Sequence, residues 1–300
     1  MSRIAITGAT GLIGSALTES LTADGHTVHR ITRRPDQAGP DDLVWDPDSR
    51  AIDAARLEGV DAVVHLAAEL IDGRGEQARR RILESRRNGT RLIAETIASL
   101  ERPPEVLVSA SAVGYYGDRG DEVLTEEAGP GDDFMATVCA AWEQAAEPAR
   151  DAGIRTVHPR TGVVIHKDGP LIDKIETPFK LGVGGRVGHG RQYVPWISLE
   201  DEVRAMRFLI DRDLEGPVNL VGPEPVTNRE MTKALGAVMR RPTVFPVPPV
   251  AVRLIYGDIA ESLAMVSSRV VPQRLLTAGF SFRHNTLTAA LQAAFGRRAA

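Results

Sequence analysis

"RIAITGATGLIGSALTESLTA" (residues 3–23) decides the architecture. An apolar, β-branched run ends at Thr7, glycines follow at positions 8, 11 and 14, and from Leu12 the apolar residues recur at helical spacing. A strand that turns through glycines directly into a helix is the local plan of a phosphate-cradling loop. Gly8 permits the tight turn, Gly11 lets backbone approach a diphosphate, and Gly14 lets helix and strand pack closely. The helix start adds unpaired N–H groups and a partial positive charge. Thr10, Leu12 and Ile13 share this turn and are expected to touch the same dinucleotide. Glycine spacing alone is weak evidence; the strand before it and the helix after it carry the reading.

Outward from this unit the alternation continues: "TVHRIT" (27–32), "AVVHLA" (62–67), a helix from about Ile82 to Leu100, and "EVLVSA" (105–110). Strands that are apolar on both faces and separated by helices predict an α/β fold, a doubly wound parallel sheet of Rossmann type. "DDFMATVCAAWEQAA" (132–146) opens a helix expected to reach Arg150, with Asp132 or Asp133 as N-cap and Gly153 just past its end. "IRTVHPRTGVVI" (154–165) is the next strand and its exit loop. Glycine and proline then become frequent. Residues 1–165 are therefore read as the dinucleotide-binding domain, with some later segments returning to the sheet, and 166–300 as a smaller substrate-side domain and C-terminal region.

Composition narrows the function classes. The 36 basic and 40 acidic side chains leave a net charge of −4, so no overall positive field exists to hold nucleic acid or an anionic membrane. The basic stretch at 74–91 reads as a solvated helix face. Cys139 is the single cysteine, which excludes an intramolecular disulfide and a cysteine-built zinc site; no metal is expected. Met1 runs directly into a strand, and no apolar run approaches the roughly 18 residues of a membrane span. The expectation is a soluble cytoplasmic protein whose partner is a small-molecule substrate, with a homodimer as one admissible assembly.

The end of the second strand, "ITRRP", bears on the cofactor. A site selecting NAD usually places a carboxylate here for the ribose 2′-hydroxyl; this chain has Thr32, Arg33 and Arg34. Guanidinium groups offer parallel N–H bonds to a phosphate, so NADP(H) is the expected cofactor. The alternative is that both arginines belong to a solvated loop.

With these residues in view, the chain resembles the extended and atypical short-chain dehydrogenase/reductase superfamily. "TGATGLIG", "VVHLAAE" (63–69) and "VSASAVGYYG" (108–117) match its signatures in order. "ESRRNGTRLI" (84–93), "AAWEQAA" (140–146), "RTGVVI" (160–165), "PFKLGVGGRVGHGRQYVPWISLED" (178–201), "PEPVTNREMTKAL" (223–235) and "VPQRLLTAGFSF" (271–282) point to its NADP-binding epimerase-family subgroup, over nearly the whole chain. The resemblance implies that Leu66, Ala67 and Ala68 line the adenosine side, that Arg86 reaches the cofactor from the following helix, and that Val164 lies by the nicotinamide. His65 and Ala68 depart from the subgroup's usual Asn and Gly, and Ser198 from its usual His.

One departure concerns chemistry. The superfamily's proton transfer uses a Tyr-x-x-x-Lys pair, the ammonium lowering a phenol pKa that is otherwise about 10. Here the helix opened at Asp132 carries Phe134, Met135, Val138 and Cys139, and the first lysine anywhere is Lys167. Three readings follow: a reductase, dehydratase or epimerase whose acid/base group lies elsewhere, a catalytically silent NADP(H) sensor, or an ordinary sugar-nucleotide epimerase, against which the absent pair argues. Ser111 matches the serine that binds the substrate oxygen; Tyr115, or Tyr116 beside it, is the candidate proton donor, and Glu143 a third. Each has a structural alternative: a local backbone bond, a packed aromatic, a structural glutamate. "GVGGRVGHGRQ" (182–192) could hold an anion with Arg186, His189 and Arg191, or be a mobile surface loop.

Overall fold

The computed structural model describes residues 1–296. Its strands are β1 (Arg3–Thr7), β2 (Thr27–Thr32), β3 (Leu43–Asp46), β4 (Ala51–Ile52), β5 (Ala62–His65), β6 (Val106–Ser109), β7 (Ser111–Ala112), β8 (Val123–Leu124), β9 (Arg155–Thr161), β10 (Val163–Ile165), β11 (Trp196–Ser198), β12 (Gly216–Leu220) and β13 (Arg269–Val270). The helices are α1 (Leu12–Ala23), α2 (Gly75–Ala98), α3 (Phe134–Gln144), α4 (Glu147–Asp151), α5 (Pro170–Lys180), α6 (Leu199–Asp211), α7 (Asn228–Met239), α8 (Pro249–Tyr256), α9 (Asp258–Met265), α10 (Gln273–Thr277) and α11 (Leu287–Ala294).

The main sheet runs β12-β9-β6-β5-β1-β2-β3-β4, with β7 pairing β9. All its neighbours are parallel except β3 and β4, an antiparallel hairpin at the edge. The chain builds outward from β1 through β2 and β3, then returns to place β5 on the other side of β1. That reversal opens a crevice at the C-terminal ends of β1 and β5, where ligands of open α/β sheets bind.

Alternation along the strands assigns the two faces. Ile4, Ile6, Val64, Val108 and Val157 pack against Leu17 and Leu21 of α1 and Met206 and Leu209 of α6. Ala5, Val63 and Leu107 face Leu92, Ile93 and Ile97 of α2. Burying each large aliphatic side chain contributes about 1.5–3 kcal/mol, so the doubly covered sheet is the principal source of stability. A separate core joins β10, β11, α5, α7 and α11 through Ile165, Trp196, Ile172, Phe179, Leu235 and Leu291. Among the described residues no helix is long and apolar enough to cross a membrane.

Three local expectations change. The helix expected from 132 to 150 is two, because Pro148 occupies the first turn of α4, where its missing N–H is tolerated, and could not have continued α3. Helix α2 starts at Gly75 rather than near Ile82: Ala78 and Ile82 form one buried stripe, and the arginines between them are good helix formers on the wet side. The strand expected over 62–67 ends at His65, where the backbone turns to bond Thr7.

Candidate functional site

The turn after β1 has little room for side chains. Gly8 has a left-handed φ of +68°, and a Cβ there would lie 2.9 Å from the Ala67 nitrogen. At Gly14 a Cβ would meet the Gly8 carbonyl oxygen at 2.2 Å, so the helix can approach this closely only without one. Gly11 is the N-cap of α1 and no side chain caps the helix; its first turn has no acidic residue either. Leu12 and Ile13 are half-buried on that first turn, and Thr10 and Gly11 are exposed. An uncapped helix start with exposed glycine beside it is complementary to a diphosphate.

A buried pair fixes the opposite lip. Thr7 Oγ1 accepts from the Leu66 and Ala67 amides at 3.0 and 3.1 Å. With both lone pairs used, its own proton goes to His65 Nδ1, 2.8 Å away. His65 is thus a neutral imidazole carrying its proton on Nε2, and complete burial pushes its pKa down to about 4. His65 anchors the Leu66–Ala67 turn from beneath, through Thr7. Leu66, Ala67 and Ala68 remain half-buried along the crevice.

Arg86 of α2 is 4% exposed, donates to the Ile82 carbonyl at 3.1 Å, and lies 4.8 Å over the Trp142 ring. Its Nε is buried with no partner in the protein. Burial lowers its pKa, with the Glu69 charge acting the other way; an arginine remains protonated regardless. A buried guanidinium with an unused N–H is what an anionic or polar ligand would satisfy. At the end of β2, Arg33 and Arg34 are exposed, and the Arg34 amide donates to Thr32 Oγ1 at 3.1 Å. Asp46, at the end of β3, shares their surroundings: its carboxyl is held below the usual range chiefly by the Ser49 hydroxyl and partly by the Arg33 charge. Val164 is half-buried in β10, paired with Ile197 and packed on the α1 side of the sheet.

The chemistry-bearing candidates form one network. Ser111 Oγ donates to Glu143 Oε1 at 2.7 Å, and Arg160 holds both Glu143 oxygens at 2.8 Å. Arg160 also donates to the Tyr116 hydroxyl at 3.0 Å, which donates to Asn219 Oδ1 at 2.6 Å. Burial pushes the Tyr116 phenol up to about 12, so it stays protonated and structural. Tyr115 is half-buried, its ring stacked 3.4 Å from the Arg160 guanidinium carbon. On α3, Met135, Val138, Cys139 and Trp142 are buried, and burial pushes the Cys139 thiol up to about 12, which leaves it unreactive at neutral pH. Sequence reasoning missed Thr7, Arg160 and Asn219; a lone arginine inside the apolar strand "TVHPRTGVV" was the available signal, since buried charge demands a partner.

Ser198 caps α6 by accepting from the Asp201 amide at 3.0 Å. His284 reaches it from the C-terminal segment, Nδ1 to Oγ 3.0 Å. This is not a hydrolytic triad, because the same Nδ1 faces both Ser198 and Asp201 and the serine is buried.

Comparison with known proteins accords with this geometry. A family model described as NAD dependent epimerase/dehydratase matches residues 4–222, and a domain of unknown function matches 247–294. An epimerase family protein of Mycobacterium tuberculosis is 44% identical over 291 residues, 96% of each chain. The human epimerase family protein SDR39U1, solved with NADPH, superposes with a TM-score of 0.89 at 32% identity, covering 98% of this chain and 99% of that one. A nucleoside-diphosphate sugar epimerase of Corynebacterium glutamicum superposes with a TM-score of 0.82 at 37% identity, covering 98% of this chain and 58% of that one. The chain belongs to the NAD dependent epimerase/dehydratase family.

Proposed function

We propose that this protein binds NADP(H) across the crevice between β1 and β5 and acts on a small-molecule substrate as an oxidoreductase or epimerase/dehydratase-like enzyme. The uncapped start of α1 beside Gly8 and Gly14 carries the reading, and the orphaned Nε of Arg86 supports it. Gly8, Thr10, Gly11, Leu12, Ile13 and Gly14 would hold the diphosphate, Thr32, Arg33 and Arg34 the 2′-phosphate, and Leu66, Ala67 and Ala68 the adenosine side. Arg86 and Val164 complete the cradle. The human relative's NADPH favours the phosphorylated cofactor here. When bound, such a cofactor supplies or accepts hydride at its nicotinamide ring.

Ser111 and Tyr115 are the residues assigned to the substrate. While Ser111 donates to Glu143 it can only accept from a ligand, which suits a substrate hydroxyl better than a carbonyl. Tyr115 is held by Arg160 and would exchange the hydroxyl proton. A second reading, a cofactor-binding sensor without turnover, draws on the same network, because Ser111, Glu143, Arg160 and Tyr116 already bond one another. Replacing Arg33 and Arg34 together by Ala should weaken NADPH binding at least about tenfold and NADH binding far less; equal losses would remove the 2′-phosphate assignment. Incubation with NADPH and a panel of carbonyl compounds and nucleotide sugars separates the two readings. Turnover abolished by Tyr115→Phe or Ser111→Ala supports the enzyme, and turnover indifferent to both overturns their roles. Tight cofactor binding without any turnover supports the sensor.

A further inference from the structure

Between the first turns of α7 and the segments 185–190 and 243–247 lies a pocket of about 440 Å³, lined by Arg186, Arg229, Thr232, Lys233 and Thr243. Its lining brings three cations and two hydroxyls together and, among the described residues, no carboxylate. Nearby acids are engaged elsewhere: Glu176 pairs with Lys180 at 2.9 Å, and Glu230 closes the capping box of α7 with Thr227.

The arrangement is built rather than incidental. Arg229 and Lys233 stand four apart on one helix, where like charges repel. Gly190, with φ +69°, lets two arginine stems converge; a Cβ there would lie 2.8 Å from Arg186 Cδ and 3.3 Å from Arg229 Cβ. Arg186 Nε is buried without a hydrogen-bond partner. The glycine-rich loop is pinned on both sides, not loose. Val187 N donates to Asn228 Oδ1 at 2.8 Å, Arg229 N to the Gly190 carbonyl at 2.9 Å, and Val247 N to the Arg186 carbonyl at 2.8 Å. Of the three residues expected to hold an anion in this loop, only Arg186 lines the pocket; His189 and Arg191 are exposed outside it, and α7 supplies the other two cations.

We propose that Arg186, Arg229 and Lys233, with the hydroxyls of Thr232 and Thr243, form a binding site for a phosphoryl group, borne by inorganic phosphate or by a phosphorylated small molecule. Convergent cations held on a fixed backbone, with an unspent guanidinium N–H, are complementary to a multiply charged oxyanion. None of these residues lies on the Gly8–Gly14 turn or the end of β2, so the site does not depend on the cofactor reading.

Calorimetric titration of the full chain in roughly 0.15 M chloride, near physiological screening, tests it with two probes, inorganic phosphate and ribose 5-phosphate. Saturable binding is expected, weakened at least about tenfold in Arg229→Ala/Lys233→Ala and retained in Arg33→Ala/Arg34→Ala. Tighter binding of ribose 5-phosphate identifies a phosphorylated metabolite as occupant; equal binding identifies phosphate itself. Both replaced side chains are exposed, and Lys233→Glu, a charge reversal at one of them, supplies a second variant that should also abolish binding. No saturable binding by the wild type, binding that survives both α7 variants, or binding lost only in the Arg33/Arg34 variant overturns the proposal; the last would place the anion in the cofactor crevice.

Discussion

The start of α1 and the surroundings of Ser111 treat their polar groups in opposite ways. At α1 the helix N–H groups have no side-chain cap, and on α2 Arg86 keeps an unpartnered Nε. Around Ser111 the donors and acceptors are bonded to each other, from Ser111 through Glu143 and Arg160 to Tyr116 and Asn219. Open polar groups cost stability unless a ligand completes them, whereas a closed network rigidifies the fold at little further cost. The difference teaches that the start of α1 is shaped for an occupant, while the strand end beside α3 is held together by its own charges.

The largest test of this contrast breaks the closed network. Glu143→Ala leaves Arg160, 3% exposed, without its carboxylate partner and should cost about 3–5 kcal/mol in equilibrium denaturation. NADPH affinity should stay within about twofold at temperatures where the variant is folded, since truncating Glu143 removes no group from the cradle. Cofactor binding lost together with stability would show that the two regions are one unit and that the contrast is wrong.

Glu202 tests the same distinction on the other face of the sheet. One oxygen accepts from the Thr161 hydroxyl at 2.8 Å and the other has no partner; burial pushes its pKa up to about 8. A carboxyl whose pKa is higher folded than unfolded holds its proton in the native state between about 4.5 and 8, so stability is lost as pH rises through that window. Glu202→Gln keeps an acceptor for Thr161 without the titration. It should lie close to the wild type near pH 5 and gain roughly 3–4 kcal/mol on it by pH 8, read from denaturant midpoints across pH. Parallel pH profiles for the two proteins would remove the buried-acid assignment.

Tyr116→Phe probes the far end of the network. Its hydroxyl bridges Arg160 and Asn219, both buried, so its loss should cost about 1–2 kcal/mol. Turnover measured on the folded variant should be unchanged if Tyr115 is the proton-exchanging group, and a selective fall in turnover would transfer that role to Tyr116.

The strand, turn and helix of residues 3–23 could be read because a glycine turn between a strand and a helix is a local pattern, with Gly14 packed on the Gly8 carbonyl; the approach of Ala67 to Gly8 is set only by the sheet. The region around Ser111 could not. Ser111, Glu143, Arg160 and Asn219 lie on β7, α3, β9 and β12, and only the sheet order brings them together. Helix ends were legible where a capping residue stood, as at Asp133, which accepts from the Ala136 amide at 2.8 Å. They were not legible where tertiary burial extended the helix, as at Gly75, or where a proline restarted it, as at Pro148.

The smallest expected effect sharpens the cofactor side. Asp46 is exposed to solvent close enough to Arg33 for the arginine's charge to act on its carboxyl, and the same field, taken the other way, dilutes the positive charge that Arg33 can offer a phosphate. Asp46→Asn keeps one oxygen to accept from the Asp48 amide and puts an NH2 beside the Ser49 hydroxyl, which can rotate to accept instead of donate, so the turn at 46–49 should persist. NADPH affinity should rise about two- to threefold at low salt, converging on the wild-type value as screening increases, while NADH affinity stays level. A gain shared equally by NADH would place the effect of Asp46 on the common part of the dinucleotide and leave Arg33 without a distinguishing role.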